Sequence, residues 1–553
     1  MLNGFNTLLL VGIFMKIKIG LINYFFSFVL LSIFSSHVFA SNEDIKFQND
    51  VNQLSAKSLK EKEKTIEAII ESNNKNVGVI LQSLLDGKVY FVKKDKKIIL
   101  IEKDKKDFFA KDAISQNSLG KFSKREIKKV TINNRIRKKI NSGLAIINLT
   151  NPNESIRLNA VKKSYKNVDG KLYEKIKSLI AVEKNEKIKN AMFTLVDIYN
   201  LESIDSNIRI KAINNLSSSL EPIVKNKLSQ IKNADNNLEV IAEAEKALKN
   251  ISTKTSFYKS LETIFFGISF GSVLILAAIG LAITFGVMGV INMAHGELIM
   301  IGAYTTYVVQ ILMPNYIGAS LLVAVPAAFF VSGLFGILIQ TGIIRHLHGR
   351  PLETLLATFG VSLVLQQLVR TIFSPLNRSV ETPIWMSGAL EVNGILSLTW
   401  NRIYIIFFCL AVFAVLIMIL KRTSLGLQVR AVSQDRNMAK AMGVRSNWVD
   451  AMTFGLGSGI AGIAGVALSQ LTNVGPNLGQ SYIIDSFMVV VFGGVGNLWG
   501  TLISGFGLGI INKFMEPWAG AVLAKVFILI FIVLFIQKKP KGLFPQKGRA
   551  AGD

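Results

Sequence analysis

The chain has 553 residues and a formal net charge of +26, and half of its residues are hydrophobic. Its single cysteine, Cys409, lies in an apolar stretch, which excludes an intrachain disulfide framework and a cysteine-based metal site. The basic balance does not make a nucleic-acid binder, because the lysines are scattered, no aromatics are interleaved among them and no nucleic-acid motif occurs.

The first 40 residues read as a signal peptide. Lys16 and Lys18 form a charged start, Ile19–Ile33 an apolar stretch and Val38-Phe39-Ala40 a small-residue cleavage site. Met15 is the natural start of that signal, so residues 1–14 are an upstream extension or a mis-assigned start. The competing reading is an uncleaved first membrane helix. Either way, the chain from residue 41 is expected outside the cytoplasm.

Residues 41–255 are expected to form an exported, mostly helical domain. Lys57–Glu71 sets Leu59, Ile66, Ile69 and Ile70 among charges, which suits an amphipathic helix. Lys88–Ile101 places two apolar runs around Lys-Lys-Asp-Lys-Lys and reads as a β-hairpin. Ile156-Arg157-Leu158-Asn159-Ala160 recurs as Ile208-Arg209-Ile210-Lys211-Ala212, with a weaker echo at Ile188-Lys189-Asn190-Ala191. A repeated Arg-x-x-Ala phrase on short helices predicts stacked helical units of the HEAT kind, at uneven spacing. No nucleophile constellation or metal cluster accompanies it, so binding or scaffolding fits better than catalysis.

Residues 261–540 are close to continuous apolar sequence. A run of about 20 apolar residues crosses a bilayer core as a helix. Eight such spans lie near 263–287, 298–313, 318–344, 354–369, 403–420, 451–471, 486–512 and 521–537. Basic residues collect on the cytoplasmic side of membrane proteins. They do so here at Arg345 and Arg350, along Lys421–Arg445, and in the tail, residues 541–553, which is expected to be cytoplasmic. Eight simple crossings from an external start would leave that tail outside. Gly493, Gly494 and Gly496 resolve the parity if they break residues 486–512 into two helical pieces meeting near Asn497. Such a break is either a pathway element or a close-packing site.

Two polar motifs interrupt the spans. In Gly286–Tyr304, Asn292, His295 and Glu297 lie between apolar stretches, where polar groups tend to line a path. With Thr358, Gln366 and Asn497 they are the candidate substrate-pathway residues. A structural turn is the bland alternative, and His295-x-Glu297 lacks the further histidine that a metal site would want. His346 and His348 read as parts of a solvated loop. The loop Thr423–Asp450 is too long and charged for a bare turn. Leu427, Ala431, Met438, Ala439, Ala441 and Met442 form an apolar stripe, so the loop is expected as an amphipathic helix on the cytoplasmic face, stopped at Gly443. Arg430, Ala431, Asp435, Ala439, Ala441 and Gly443 are the candidate residues for coupling to a separate motor. No G-x-x-x-x-G-K-[ST] phosphate loop occurs in the sequence, so any ATP would be bound by another chain.

The phrases GVMGVINMAHGELIMIGAY, LGLQVRAVSQDRNMAKAMGV, DSFMVVVFGGVGNLWGT and KKPKGLFPQKGR resemble permeases of the ABC importer group that carries branched-chain amino acids, amides and urea. The exported domain is similar to what the urea branch carries in its larger permease subunit. That resemblance implies a mainly α protein with a polytopic helical membrane domain in the bacterial inner membrane, and no enzyme. It implies a second permease, two ATP-binding subunits and a periplasmic urea-binding protein as partners, with membrane lipid around them. It also makes Thr423–Asp450 the coupling element and urea, or a short amide, the cargo. A branched-chain amino acid permease is the alternative, and a passive urea channel a more distant one.

Overall fold

The computed structural model describes residues 42–72, 74–104 and 107–545, so the expected signal peptide and residues 546–553 of the tail lie outside the described residues. The chain is mainly α-helical and divides into two compact units at Lys249/Asn250.

The first unit opens with α1 (Asn42–Gln53), α2 (Leu59–Glu71) and α3 (Val77–Leu85), followed by an antiparallel sheet. Its strands are β1 (Val89–Val92), β2 (Ile98–Asp104), β3 (Asp107–Asp112), β4 (Ser118–Phe122) and β5 (Ile127–Lys129), in the order β4-β3-β2-β1-β5. β1 and β2 are the hairpin that Lys88–Ile101 predicts, with Tyr90 opposite Ile99. Strands β3 to β5 were not expected. They are three to six residues long, and sequences such as SLGKF and IKK give hydrophobic alternation too few positions to register. Phe47, Ile66, Ile80, Val89, Leu100, Ile136 and Ile140 share one buried core, which is where helices and sheet meet.

Seven helices follow: α4 (Asn134–Asn148), α5 (Glu154–Ser164), α6 (Gly170–Ile180), α7 (Glu186–Asn200), α8 (Ser206–Leu216), α9 (Pro222–Ala234) and α10 (Leu238–Met288). Their starts obey a 52-residue period: Asn134, Glu186 and Leu238; Glu154 and Ser206; Gly170 and Pro222. The repeating unit is therefore three helices. Its first helix is capped by Asn133, Asn185 or Asn237, whose side chain accepts a backbone N–H of the first turn. The repeated Arg sits on the second helix. Arg157 donates to the carbonyls of Asn151 and Pro152 and forks onto Glu183 at 2.9 and 3.0 Å. Arg209 donates to the carbonyls of Ser203 and Ile204 and pairs with Asp235. Each arginine thus ties the loop before its helix to a carboxylate 26 residues on. The echo Ile188–Ala191 belongs to α7, a first helix, which is why the spacing looks uneven in sequence.

The second unit continues α10 and adds α11 (His295–Leu312), α12 (Ile317–Gly342), α13 (Pro351–Phe373), α14 (Trp400–Arg422), α15 (Ser424–Gln434), α16 (Arg436–Ala441), α17 (Ser446–Ser469), α18 (Leu478–Gly493) and α19 (Leu498–Lys538). A small hairpin, β6 (Ala389–Glu391) and β7 (Ser397–Thr399), precedes α14. Among the described residues, six helices are long and apolar enough to cross a membrane: α10, α12, α13, α14, α17 and α19.

α11 and α17 form the centre. Every residue from His295 to Tyr304 is buried, and so is nearly all of α17. They approach closely: a Cβ at Gly302 would strike the carbonyl of Gly462, and one at Gly465 the carbonyl of Ile299. Small residues permit such backbone contact in membrane bundles. Because α11 packs against α12, α17 and α18 (Gly296 lies on Gly479), it can carry polar residues that a lipid-facing helix could not.

The expected span at 486–512 divides between α18 and α19, and α19 breaks again at Gly520, where φ is 77°. The second half of α19 returns to the first break. Leu543 and Phe544 donate to the carbonyls of Phe492 and Gly493 at 3.0 and 3.2 Å.

Candidate functional site

α10 ends at Met288, yet His295, which opens α11, lies against Ala277, 11 residues back along α10. At 1.5 Å per residue that is about 16 Å from the end of α10. Residues 289–294 therefore run back into the bundle as non-helical backbone, starting at Gly289 with φ 66°. Such backbone is tolerated at membrane depth only inside protein or along a wet path.

The side chains at this return are polar and buried. Asn292 Oδ1 accepts the N–H of Ala294 at 3.0 Å, and the N–H of Met293 is donated to Thr358 Oγ1 at 3.1 Å. His295 Nε2 lies 2.9 Å from the carbonyl of Ala277. A carbonyl only accepts, so Nε2 carries the hydrogen. Glu297 Oε1 accepts from Ser362 Oγ at 2.9 Å and from Gln366 Nε2 at 2.7 Å. Asn292 Nδ2, His295 Nδ1 and Glu297 Oε2 have no hydrogen-bond partner among the described residues. Asn292 borders an otherwise apolar cavity of about 280 Å³ with Ile291, Met293, Leu355 and Phe487.

Five of the expected pathway residues are thus brought to the start of α11: Asn292, His295 and Glu297 with Thr358 and Gln366. Ser362 was missed. Its signal is readable afterwards, since Thr354, Thr358, Ser362 and Gln366 recur every four residues on α13 and form one buried polar stripe in an apolar helix. Arg370 extends the spacing and bonds Asn477 at 2.8 Å.

Asn497 does not join them. Its Oδ1 accepts the N–H of Gly500 at 3.1 Å as the cap of α19, and its Nδ2 donates to the carbonyl of Phe544 at 3.1 Å. The break at Gly493, Gly494 and Gly496 is a packing site. Gly493 lies on Gly500, Gly494 (φ 103°) on the tail carbonyl of Phe544, and Gly496 (φ 78°) on Gly286. Asn497 and Gly496 instead border a cleft of about 760 Å³ with Gly286, Arg430, Ser433 and Phe544.

Arg430 in that cleft belongs to the loop Thr423–Asp450, which forms two helices where one was expected. Asp435 leaves the helical region at φ −145°, ψ 109° and caps α16 by accepting the N–H of Met438 at 2.9 Å. Gly443, at φ 85°, ends α16. The stripe also differs from the expected one. Val429, Val432 and Ala439 pack on Val449 of α17, with Ala431 partly buried beside them, whereas Leu427, Met438 and Met442 face outward and Ala441 is exposed. Arg430 donates to the carbonyl of Leu420, and Arg436 pairs with Asp450. His348, outside the spans, is held below its ordinary pKa by burial and by the nearby Arg436 cation, and so stays neutral at pH 7. Among the described residues no group of His, Cys, Asp and Glu could hold a metal ion.

The described residues of this unit thus form an apolar helical bundle with a buried polar return and a polar stripe along one long apolar helix. Residues 263–536 match the family described as "Branched-chain amino acid transport system / permease component", and the chain belongs to that family of multi-pass inner-membrane ABC permease subunits. It is 30% identical over 298 residues to the high-affinity branched-chain amino acid transport system permease protein LivH of Salmonella typhimurium, covering 52% of this chain and 96% of that protein. It is 29% identical to LivH of Escherichia coli over the same length and coverage. Against the permease protein BraD of Pseudomonas aeruginosa it is 28% identical over 295 residues, 52% of this chain and 96% of that protein. No solved structure matches.

Proposed function

We propose that this chain is the permease through which an ATP-driven importer passes branched-chain amino acids, with Asn292, Glu297 and the α13 stripe Thr358, Ser362 and Gln366 along its path. The observation that carries this is the contact of Glu297 with Ser362 and Gln366, an acceptor-rich polar cluster buried between two membrane helices. A carboxylate suits the ammonium group of an amino acid, and Asn292 Nδ2 is a spare donor for its carboxylate. The relatives' names point the same way.

In this reading a second permease subunit, two ATP-binding subunits and an external binding protein complete the importer. With basic loops on the cytoplasmic side, Lys421–Arg445 and the tail lie in the cytoplasm in this reading, and residues 42–249 outside it. Motion of the ATP-binding pair enters through Thr423–Asp450.

Urea or a short amide is the second reading. It is favoured by the helical unit before residue 250, which lies outside the family match although relatives such as LivH are almost wholly covered. Uptake of labelled leucine and labelled urea in a deletion strain, each competed with the other solute, separates the two. ATP-dependent leucine uptake lost on deletion supports the first, and urea uptake lost with leucine uptake intact overturns it.

A further inference from the structure

α16 is six residues long, and Ala439 alone among them is buried. Its Met438 is 62% exposed, and Met442 just beyond it 79% exposed. The apolar cluster of Val429, Val432, Ala439 and Val449 seats this loop on α17. Hydrophobic contact is non-directional, so it fixes proximity and not register. Among the described residues, the directional side-chain contact between α16 and α17 is one ion pair: Arg436 Nη2, at the first residue of α16, donates to Asp450 Oδ2 near the start of α17. The Asp450 side chain is 5% exposed and that of Arg436 20%. The pair is not a fork, because Arg436 Nε and Asp450 Oδ1 have no hydrogen-bond partner among the described residues.

Desolvation offsets most of the attraction in such a pair, and replacing both partners with apolar residues of similar size is often neutral for folding, whereas removing one strands a buried charge. Folding energy is therefore a weak reason for this pair. Its position offers a better one. α17 is buried almost throughout and is locked by backbone contact to α11 at Gly462 and Gly465 and to α10 at Gly457, where His295 also lies. A displacement of the foot of α17 must move α11, which carries Glu297.

We propose that Arg436 and Asp450 are positioning residues that form a strut: displacement of α16 is delivered through this ion pair to α17 and on to the polar cluster at the start of α11. The proposal rests on the reading of the chain as a permease driven through Thr423–Asp450. Neither residue touches the cargo; they set how much motion of the loop becomes motion of the path.

The full complex, copurified with its partner subunits, is reconstituted in liposomes, and uptake of labelled leucine and urea is measured together with ATP hydrolysis. The neutral pair R436M/D450L removes both charges while keeping side-chain bulk. It is expected to assemble and to hydrolyse ATP, with solute moved per ATP reduced about tenfold. The single D450N is expected to assemble less well than the neutral pair, since it strands Arg436. Wild-type solute moved per ATP in R436M/D450L overturns the strut. Loss of assembly in R436M/D450L overturns it too, because the pair is then a folding contact. Wild-type uptake that needs no ATP removes the permease reading and the strut together. ATP-driven uptake that persists unchanged in the neutral pair removes the strut alone.

Discussion

Gln366 Nε2 of α13 donates a 2.7 Å hydrogen bond to Glu297 Oε1 of α11, and Ser362, one turn earlier on α13, donates to the same oxygen. Two membrane helices therefore meet through a carboxylate rather than through apolar contact alone. A typical intramolecular hydrogen bond contributes about 0.5–1.5 kcal/mol. Gln366→Leu should loosen this contact and lower solute uptake by roughly tenfold, at about 1.4 kcal/mol per factor of ten. The double variant E297L/Q366L separates roles. Apolar packing should hold the helices together, so its melting point in detergent should stay near wild type while uptake is lost. Normal uptake in the double variant would reduce the cluster to a structural contact.

Close backbone packing of α11 on α17 makes a second expectation. A Cβ on Gly302 would meet the carbonyl of Gly462, a backbone atom that cannot rotate away. Overpacking of this kind costs about 1–3 kcal/mol. Gly302→Ala should lower the melting temperature of the detergent-solubilised protein. Gly360→Ala on α13 is the control, because a Cβ there meets nothing within 4 Å. Helical alanine is favoured over glycine by about 0.5–1 kcal/mol, so G360A should melt at or above wild type. Equal melting of the two variants would count against the α11–α17 contact.

The two variants also mark what sequence could reveal. Six of the eight expected spans fall on long apolar helices because lipid demands apolar runs, while 298–313 falls on the shorter α11 and 486–512 is divided; the polar residues stood out against them. That contrast singles out Asn292, His295, Glu297, Thr358 and Gln366, and the structure brings them together at the start of α11. Ser362 was missed because a single serine is unremarkable until it is seen four residues from both Thr358 and Gln366 on a buried face. Asn497 lies apart from the others for a related reason. A polar residue beside glycines reads as pathway, yet whether a broken helix faces a path or a chain end depends on contacts far away in sequence, here with Phe544. The loop Thr423–Asp450 was legible as helical, but Asp435 has two uses. As a helix residue it continues one helix; as an N-cap it starts another, and the cap prevailed. The 52-residue period escaped because, beyond the Arg-x-x-Ala phrase, it repeats as single asparagines at 133, 185 and 237, which carry no signal until they are seen as helix caps.

That repeat carries an acid-sensitive joint. Hydrogen bonds from Arg157 hold the Glu183 carboxyl below its ordinary 4.5. The folded state thus favours the ionised form more than the unfolded chain does. Its contribution is complete above about pH 4.5 and is lost as pH falls through the lower folded value. Protection factors in α5 and α6 of the full-length chain, corrected for the intrinsic pH dependence of amide exchange, should therefore fall in acid, below the window where free glutamate titrates. In Glu183→Gln the same helices should exchange faster at pH 7 and show less further change on acidification. An unchanged acid profile in that variant would place the sensitivity elsewhere.

The returning tail gives the last expectation. Asn497 serves both chains at the first break: its Oδ1 caps α19 and its Nδ2 holds the carbonyl of Phe544. On the tail side, Gly542 has φ 76° and lies against the backbone of Gly494, so a Cβ there is both strained and crowded at 2.6 Å. Asn497→Ala removes a cap, a loss of about 1 kcal/mol, and with it the side-chain anchor for Phe544. Gly542→Ala leaves the cap intact and disturbs only the tail. Protease cleavage after Lys538 should rise in both variants, while slower-exchanging amides at the start of α19 should be lost in N497A alone. The two readouts diverge because one residue bridges two segments and the other belongs to one. If cleavage rises in neither, the backbone bonds of Leu543 and Phe544 to Phe492 and Gly493 suffice to hold the tail, and Asn497 is a helix cap and nothing more.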